Sequence, residues 1–259
     1  MKNLIFFLMI VLVCAPLSIA GTSETTKIPE AVEKDLQMSK GPEQNKALTK
    51  DIADWVKKEP LVVLSWASRE ASKELSNFIG PQVLRALVPV NGEVAADWLI
   101  KNFGPPDYWR LHQLLLYWSQ FGGHPEAVVW CLKAPAEVRY MSIFSVGDGL
   151  CRKDPPAAAD WALKLKAEKR DRLAAVHGVI LMWARGDFAK ATEWIKNLEP
   201  AEAKFATVVM LSEWKNNKEA KGNDVTAKKK WLEQLPFSDT EKEELLKSPP
   251  FDTYGRNVK

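Results

Sequence analysis

Cysteine and histidine are scarce in this chain, with three of each among 259 residues. None of the histidines, His112, His124 and His177, has a Cys, His or acidic partner at the spacing of a zinc site. Glycine is thin as well, and there is no Gly-x-Ser-x-Gly elbow, no phosphate-binding loop and no His-Glu-x-x-His helix. Gly147-Asp148-Gly149 is too short for a ligand loop and reads as a helix irregularity. The glutamates Glu241, Glu243 and Glu244 fall on a solvated helical face and make a weak carboxylate pair. The residues therefore nominate no catalytic group, no metal ligand and no cofactor, and they leave any binding residues unknown. Strong charge of one sign is also missing. The formal net charge is +3, close to +2 once Lys2 is set aside, which argues against a nucleic-acid surface. The run Lys228-Lys229-Lys230 reads as a solvated face.

Long apolar runs are confined to the start. Lys2 precedes the apolar stretch Leu4–Val13, then Pro16, and then Ser18-Ile19-Ala20 with small residues where a signal peptidase reads. Residues 1–20 are expected to be a cleaved signal peptide, with export to a periplasm or the extracellular space. A bilayer anchor needs about 20 apolar residues, and Pro16 and Ser18 interrupt this run. Val13, where a small residue is expected, precedes Cys14, which disfavours a lipid-modified cysteine. No stable membrane span is expected after cleavage. Only Cys131 and Cys151 would then remain. The helical register puts them toward opposite ends of an antiparallel pair, beyond the ~7 Å reach of a disulfide, so they are expected to be buried thiols.

What the chain has in abundance is tryptophan, eleven in all. Trp66, Trp98, Trp130, Trp161 and Trp194 are spaced by 32, 32, 31 and 33 residues. A second column leads each by 11 or 12 residues: Trp55, Leu87, Trp118, Leu150 and Trp183, continued by Trp214. Three residues before each trailing Trp stand Val63, Ala95, Ala127, Ala158 and Ala191, and seven before it stand Glu59, Asn91, Gly123, Asp154 and Asp187. Each column has a physical reason. Asp or Asn ahead of an apolar run caps the free N–H groups of a helix start, and the prolines Pro60, Pro125 and Pro155 suit the first turn. An Ala three residues before a Trp shares its helical face and lets a neighbouring helix approach. Acid and base four apart, as in Asp97/Lys101 and Asp160/Lys164, mark an exposed flank.

The second helix of each unit ends on the leading column, as in Leu111, Leu114, Leu115 and Trp118, or Val176, Val179, Ile180 and Trp183. Breakers fall at Gly80-Pro81, Gly104-Pro105-Pro106, Ala134-Pro135 and Glu199-Pro200. The expectation is an all-α chain, an α-solenoid of antiparallel helix pairs with a period of about 32 residues. Its array spans 47–215. Residues 21–46 read as a polar linker, 216–248 as a degenerate capping unit in which the capping box Ser238-Asp239-Thr240-Glu241 opens a short helix, and 249–259 as a mobile tail. The Trp columns read as inter-helix core, whereas Trp109, off the columns beside Tyr108, is the candidate exposed aromatic.

On these residues, Asp154–Trp161 above all, the unit resembles the tetratricopeptide-like superfamily of helical-hairpin repeats. It is also similar to the tryptophan-rich Asp-Pro-x-x-Ala-x-x-Trp repeats of secreted bacterial proteins of unassigned function. The resemblance covers about residues 50–215. The period is nearer 32 than the tetratricopeptide 34, and the Trp-x-x-Leu-Gly-x-x-Tyr core is absent. It implies a non-catalytic binding or scaffold module of the cell envelope with one or more protein partners. The alternative is an enzyme or carbohydrate-binding protein built on the same array.

Overall fold

The computed structural model describes residues 27–69, 73–102, 109–121, 124–214 and 224–248. Among them every regular element is a helix, so the protein is all-α. In chain order the helices are α1 (Glu30–Leu36), α2 (Pro42–Lys58), α3 (Pro60–Arg69), α4 (Lys73–Asn102), α5 (Trp109–Phe121), α6 (His124–Lys133) and α7 (Ala136–Lys153). After them come α8 (Pro155–Lys164), α9 (Lys169–Gly186), α10 (Phe188–Ile195), α11 (Pro200–Ser212), α12 (Val225–Leu232) and α13 (Asp239–Lys247). Among the described residues no helix is long and apolar enough to cross a membrane. The signal peptide expected at 1–20, the breaker at 104–106 and the tail at 249–259 lie outside the described residues.

Leading-column residues stand near the ends of α2, α5, α7 and α9 and trailing tryptophans sit on the short helices α3, α6, α8 and α10, whereas α4 carries both Leu87 and Trp98, one on each side of a break at Asn91. The turn between leading and trailing residues is set by the capping column. Asp154 accepts from the Ala157 amide at 3.1 Å, Asp187 from that of Lys190 at 3.0 Å, and Asn91 from that of Val94 at 3.2 Å. Each side chain thereby satisfies an N–H that the first turn leaves open. Glu59 departs from the column: its carboxylate accepts from Trp55 Nε1 at 2.9 Å.

Each long helix packs on the next, α2 on α4, α4 on α5, α5 on α7, α7 on α9 and α9 on α11. The short helices α3, α6, α8 and α10 each lie against the long helices before and after them. The helices share one apolar core.

Three expectations need correcting. Gly80-Pro81 does not separate helices. The backbone stays helical through both, and α4 breaks instead at Asn91, where φ is −167° and ψ 74°. The capping residue, not the proline, decides the boundary. Segment 21–46 is not simply a linker, because its described part carries α1 and the start of α2. Val32 there is fully buried, and Gln44 Nε2 donates to the carbonyls of Asp35 and Met38. One buried valine in a short polar helix leaves little periodic signal. Finally, Gly147-Asp148-Gly149 forms no irregularity; it lies inside α7, where both glycines face neighbouring helices.

At the far end, α13 opens with the expected capping box, Ser238 and Glu241 satisfying each other's backbone N–H. Lys204 of α11 reaches the same Glu241 at 2.6 Å. That ammonium, with the Ser238 amide and hydroxyl, holds the Glu241 carboxyl down to about 2. Trp231 of α12 packs on Phe188 and Trp214, each at 5.4 Å between ring centres, and donates to Thr192 Oγ1 at 2.9 Å.

Candidate functional site

One group of the polar residues that the fold buries lies on α7 and the helices after it. Ser142, Ser145 and Asp148 of α7, Asp171 and His177 of α9, and Glu202 of α11 all lie in the interior. Small residues make this possible. A methyl group on Gly149 would run into the Ser119 hydroxyl and the Leu116 carbonyl of α5, and one on Gly178 would meet the Phe144 carbonyl of α7. Glycine at these two positions lets the backbones of α5, α7 and α9 approach closely enough for short polar side chains to bridge them.

Two histidines, one from each side, meet hydroxyls of α7. From α5, His112 Nδ1 lies 2.8 Å from Ser145 Oγ, and its Nε2 lies 3.9 Å from Asp148 Oδ2. From α9, His177 Nδ1 lies 3.0 Å from the Tyr140 hydroxyl. The rings form a continuous row across four helices. His112 to Phe144 is 5.9 Å, Phe144 to His177 is 4.8 Å and His177 to Phe205 is 5.6 Å, centre to centre. Asp148 also accepts from Arg152 Nε at 2.7 Å, one helical turn away.

Arginines tie the edges of the same helices together. Arg172 pairs with Glu202 at 2.7 Å and Arg185 with Glu213 at 2.8 Å, both between α9 and α11. Arg85 of α4 lies over the Tyr117 ring of α5 at 4.8 Å, and Arg170 of α9 over Tyr140 of α7 at 5.8 Å. Planar guanidinium groups suit both kinds of contact.

Ser145, His112 and Asp148 carry the residue types of a nucleophilic triad, and the geometry argues against that chemistry. Ser145 has no solvent exposure, and its hydroxyl lies against the Met141 carbonyl at 2.6 Å and the Met141 sulfur at 3.3 Å. A nucleophile needs a reacting carbon within reach, and none can approach. Burial, opposed by Asp148 and assisted by Arg152, holds His112 below its ordinary pKa. Cys131 and Cys151 are free and buried, as expected. Burial, with Asp171 beside one and Asp148 beside the other, pushes both thiols up to about 12, so neither is a ready nucleophile. Among the described residues no three His, Cys, Asp or Glu side chains converge to hold a metal ion.

The aromatic columns divide. Where the leading residue is Trp, the trailing Trp is buried: Trp55 lies 5.2 Å from Trp66, Trp118 6.4 Å from Trp130 and Trp183 5.9 Å from Trp194. Where it is leucine, Leu87 or Leu150, the trailing Trp98 and Trp161 are only half-buried. A leucine has less surface with which to cover the indole. Asp97 and Lys101 lie on an exposed flank, as expected, where Asp97 accepts from Trp130 Nε1 at 2.9 Å, and Asp160 and Lys164 pair on the surface. Trp109 is half-buried, with the Arg110 guanidinium 4.9 Å from its ring. It borders a cavity of about 10 Å³ with Leu64, Val83, Leu84 and Gln113, no larger than one water requires. The side chain of His124 lies outside what is described. Lys229 and Lys230 are exposed on α12.

Of the histidines, the residues alone left open whether His112 and His177 were surface or core. The structure buries His177 and brings both to α7. Asp148 was read only as part of Gly147-Asp148-Gly149, and Arg152, Arg172 and Glu202 were not singled out in the sequence. A signal existed, for Arg85 and Tyr117, His112 and Ser145, and Arg172 and Glu202 stand 30 to 33 residues apart, about one repeat.

No protein family, curated protein or solved structure gives a match to this chain.

Proposed function

We propose that the helices stack as an α-solenoid of antiparallel pairs, of the tetratricopeptide-like kind, and that the exported chain works as a non-catalytic protein-binding or scaffold module. The observation that carries this reading is the order of packing: the substantial contacts join helices next to each other or one apart in the chain. A chain built this way grows surface with every unit, and extended surface is what repeat proteins use to hold partners. The buried polar groups support the same reading. The contacts His112–Ser145, Tyr140–His177 and Arg172–Glu202 run from one long helix to the next and serve cohesion. Export rests on the leader pattern at 1–20.

Two experiments test the proposal. Fractionation of the source cell, followed by affinity capture from the envelope fraction, is expected to return the chain with one partner in fixed stoichiometry. Residence in the cytoplasm, or capture of no partner at any salt concentration, would overturn it. A hydrolase screen of the purified chain is expected to give no turnover. Reproducible turnover that one polar substitution abolishes would replace the scaffold with an enzyme.

A further inference from the structure

Arginines elsewhere in the stack are spent on acceptors within the chain. Arg152 is held by Asp148 at 2.7 Å, Arg172 by Glu202 at 2.7 Å and Arg185 by Glu213 at 2.8 Å, and Arg139 donates to the Ala134 carbonyl at 3.0 Å. Arg85 of α4 is different. It is exposed, and among the described residues no carboxylate pairs with it. Rings hold it instead. Its guanidinium lies 4.8 Å from the centre of Tyr117 and 6.0 Å from that of Phe121, both on α5. A guanidinium that gives one face to a ring keeps its N–H edge open to a planar acceptor such as a carboxylate.

The two rings stand one helical turn apart, 6.0 Å between centres. Phe121 is 61% exposed, more than any other large apolar side chain among the described residues, and it is the one aromatic among those exposed. A lone exposed apolar residue calls for no explanation. One set beside an unpaired arginine and a tyrosine has the composition in which protein interfaces concentrate their binding energy. The Tyr117 hydroxyl also makes no hydrogen bond among the described residues. The comparable pair, Arg170 over Tyr140 at 5.8 Å, offers less, because the Tyr140 hydroxyl is taken by His177 at 3.0 Å.

We propose that Arg85, Tyr117 and Phe121 form a docking point for a protein partner that presents an acidic side chain next to an apolar one. The inference rests on the protein-binding reading above and names the chemistry of the partner. The carboxylate meets the open edge of Arg85, the Tyr117 hydroxyl is a further donor, and the apolar neighbour covers Phe121. Charge complementarity selects the occupant. A neutral or basic segment would strip water from the guanidinium and return no counter-charge, whereas a carboxylate returns both charge and hydrogen bonds. A sugar ring needs an open, flat aromatic platform. Here Arg85 lies over Tyr117, and the two rings tilt by 35° to each other.

The test selects random peptides displayed on phage against the full chain. Enriched peptides are expected to share an Asp or Glu within a few residues of an aliphatic or aromatic side chain. Against synthetic copies of them, Arg85→Met is expected to weaken binding about tenfold or more and to flatten its dependence on salt. Phe121→Ala is expected to weaken it severalfold and Tyr117→Phe less, while Arg170→Met leaves it unchanged. Arg85 and Phe121 are exposed, so these variants are expected to melt with the parent. Should Arg85→Met melt early, Arg85→Lys, which keeps the charge without the planar fork, is expected to lose binding severalfold. Peptides that lack an acid, or that bind the Arg85 and Phe121 variants as tightly as the parent, overturn the docking point and leave the protein-binding reading standing. A selection that enriches nothing overturns both, and retention of the chain on polygalacturonate would then give this face to an acidic sugar.

Discussion

Between α7 and α9 the backbones come so close that Gly178 has no room for a methyl group, whereas the short helix α6 meets the end of α4 with the indole of Trp130, whose N–H is bonded to Asp97. The two sets of helices cohere by different means. The long ones use close approach, with glycines, hydroxyls and guanidinium groups spanning a narrow gap. The short ones use bulk, an indole on each filling the space beside its long neighbour. The difference teaches that one repeat can contain two packing regimes, one intolerant of added volume and the other intolerant of lost volume.

The largest effect expected of this difference is at Trp130. It is buried against Trp118, and Trp130→Ala should cost about 3–5 kcal/mol in chemical denaturation. Trp161→Ala, starting from a half-buried ring, should cost clearly less. Equal losses would mean that the Trp/Leu alternation of the leading column has no energetic meaning. Next comes Gly178→Ala. Adding a methyl group in the narrow gap should cost about 1–3 kcal/mol. The same change at Gly186, which has open space around it, should be close to neutral. If the two glycine variants melt together, close approach is not what holds the long helices. A smaller effect is expected at the turn: Asp154→Ala removes the acceptor of the Ala157 amide and should cost about 1 kcal/mol. Smallest of all is Lys164→Ala, which breaks an ion pair exposed on both sides and should stay within about 0.5 kcal/mol.

How much of this was readable beforehand depends on the length scale of each feature. The columns that recur every 32 residues were legible because one physical need, capping, closeness or filling, is met again and again by the same residue type. Asp154 and Asp187 cap as their spacing says. Asp224 caps α12 seven residues before Trp231, accepting from the Thr226 amide at 2.8 Å. The sixth unit therefore keeps the capping register of the others from Asp224 onward, within a stretch whose sequence reads as a polar insertion. Helix boundaries at prolines were less legible, because a proline is compatible with a helix start as well as with a break, and Gly80-Pro81 shows the ambiguity. The polar cluster was least legible. Its members come from α5, α7, α9 and α11, and only the approach of α5 to α7 brings His112 to Ser145 and Asp148. The tryptophans, many enough to hint at a ligand surface by count, turn out to be mostly architecture.

Cys131 and Cys151 sit one in each set of helices, on short α6 and long α7, almost wholly out of reach of solvent. Their sulfurs turn inward to the carbonyls of Val128 and Val179. A thiol that ionises only near pH 12 reacts with an alkylating reagent chiefly when the structure around it opens. The chain therefore carries two native clocks. Their labelling rates, read separately, time the breathing of the bulky layer and of the narrow one without any added probe.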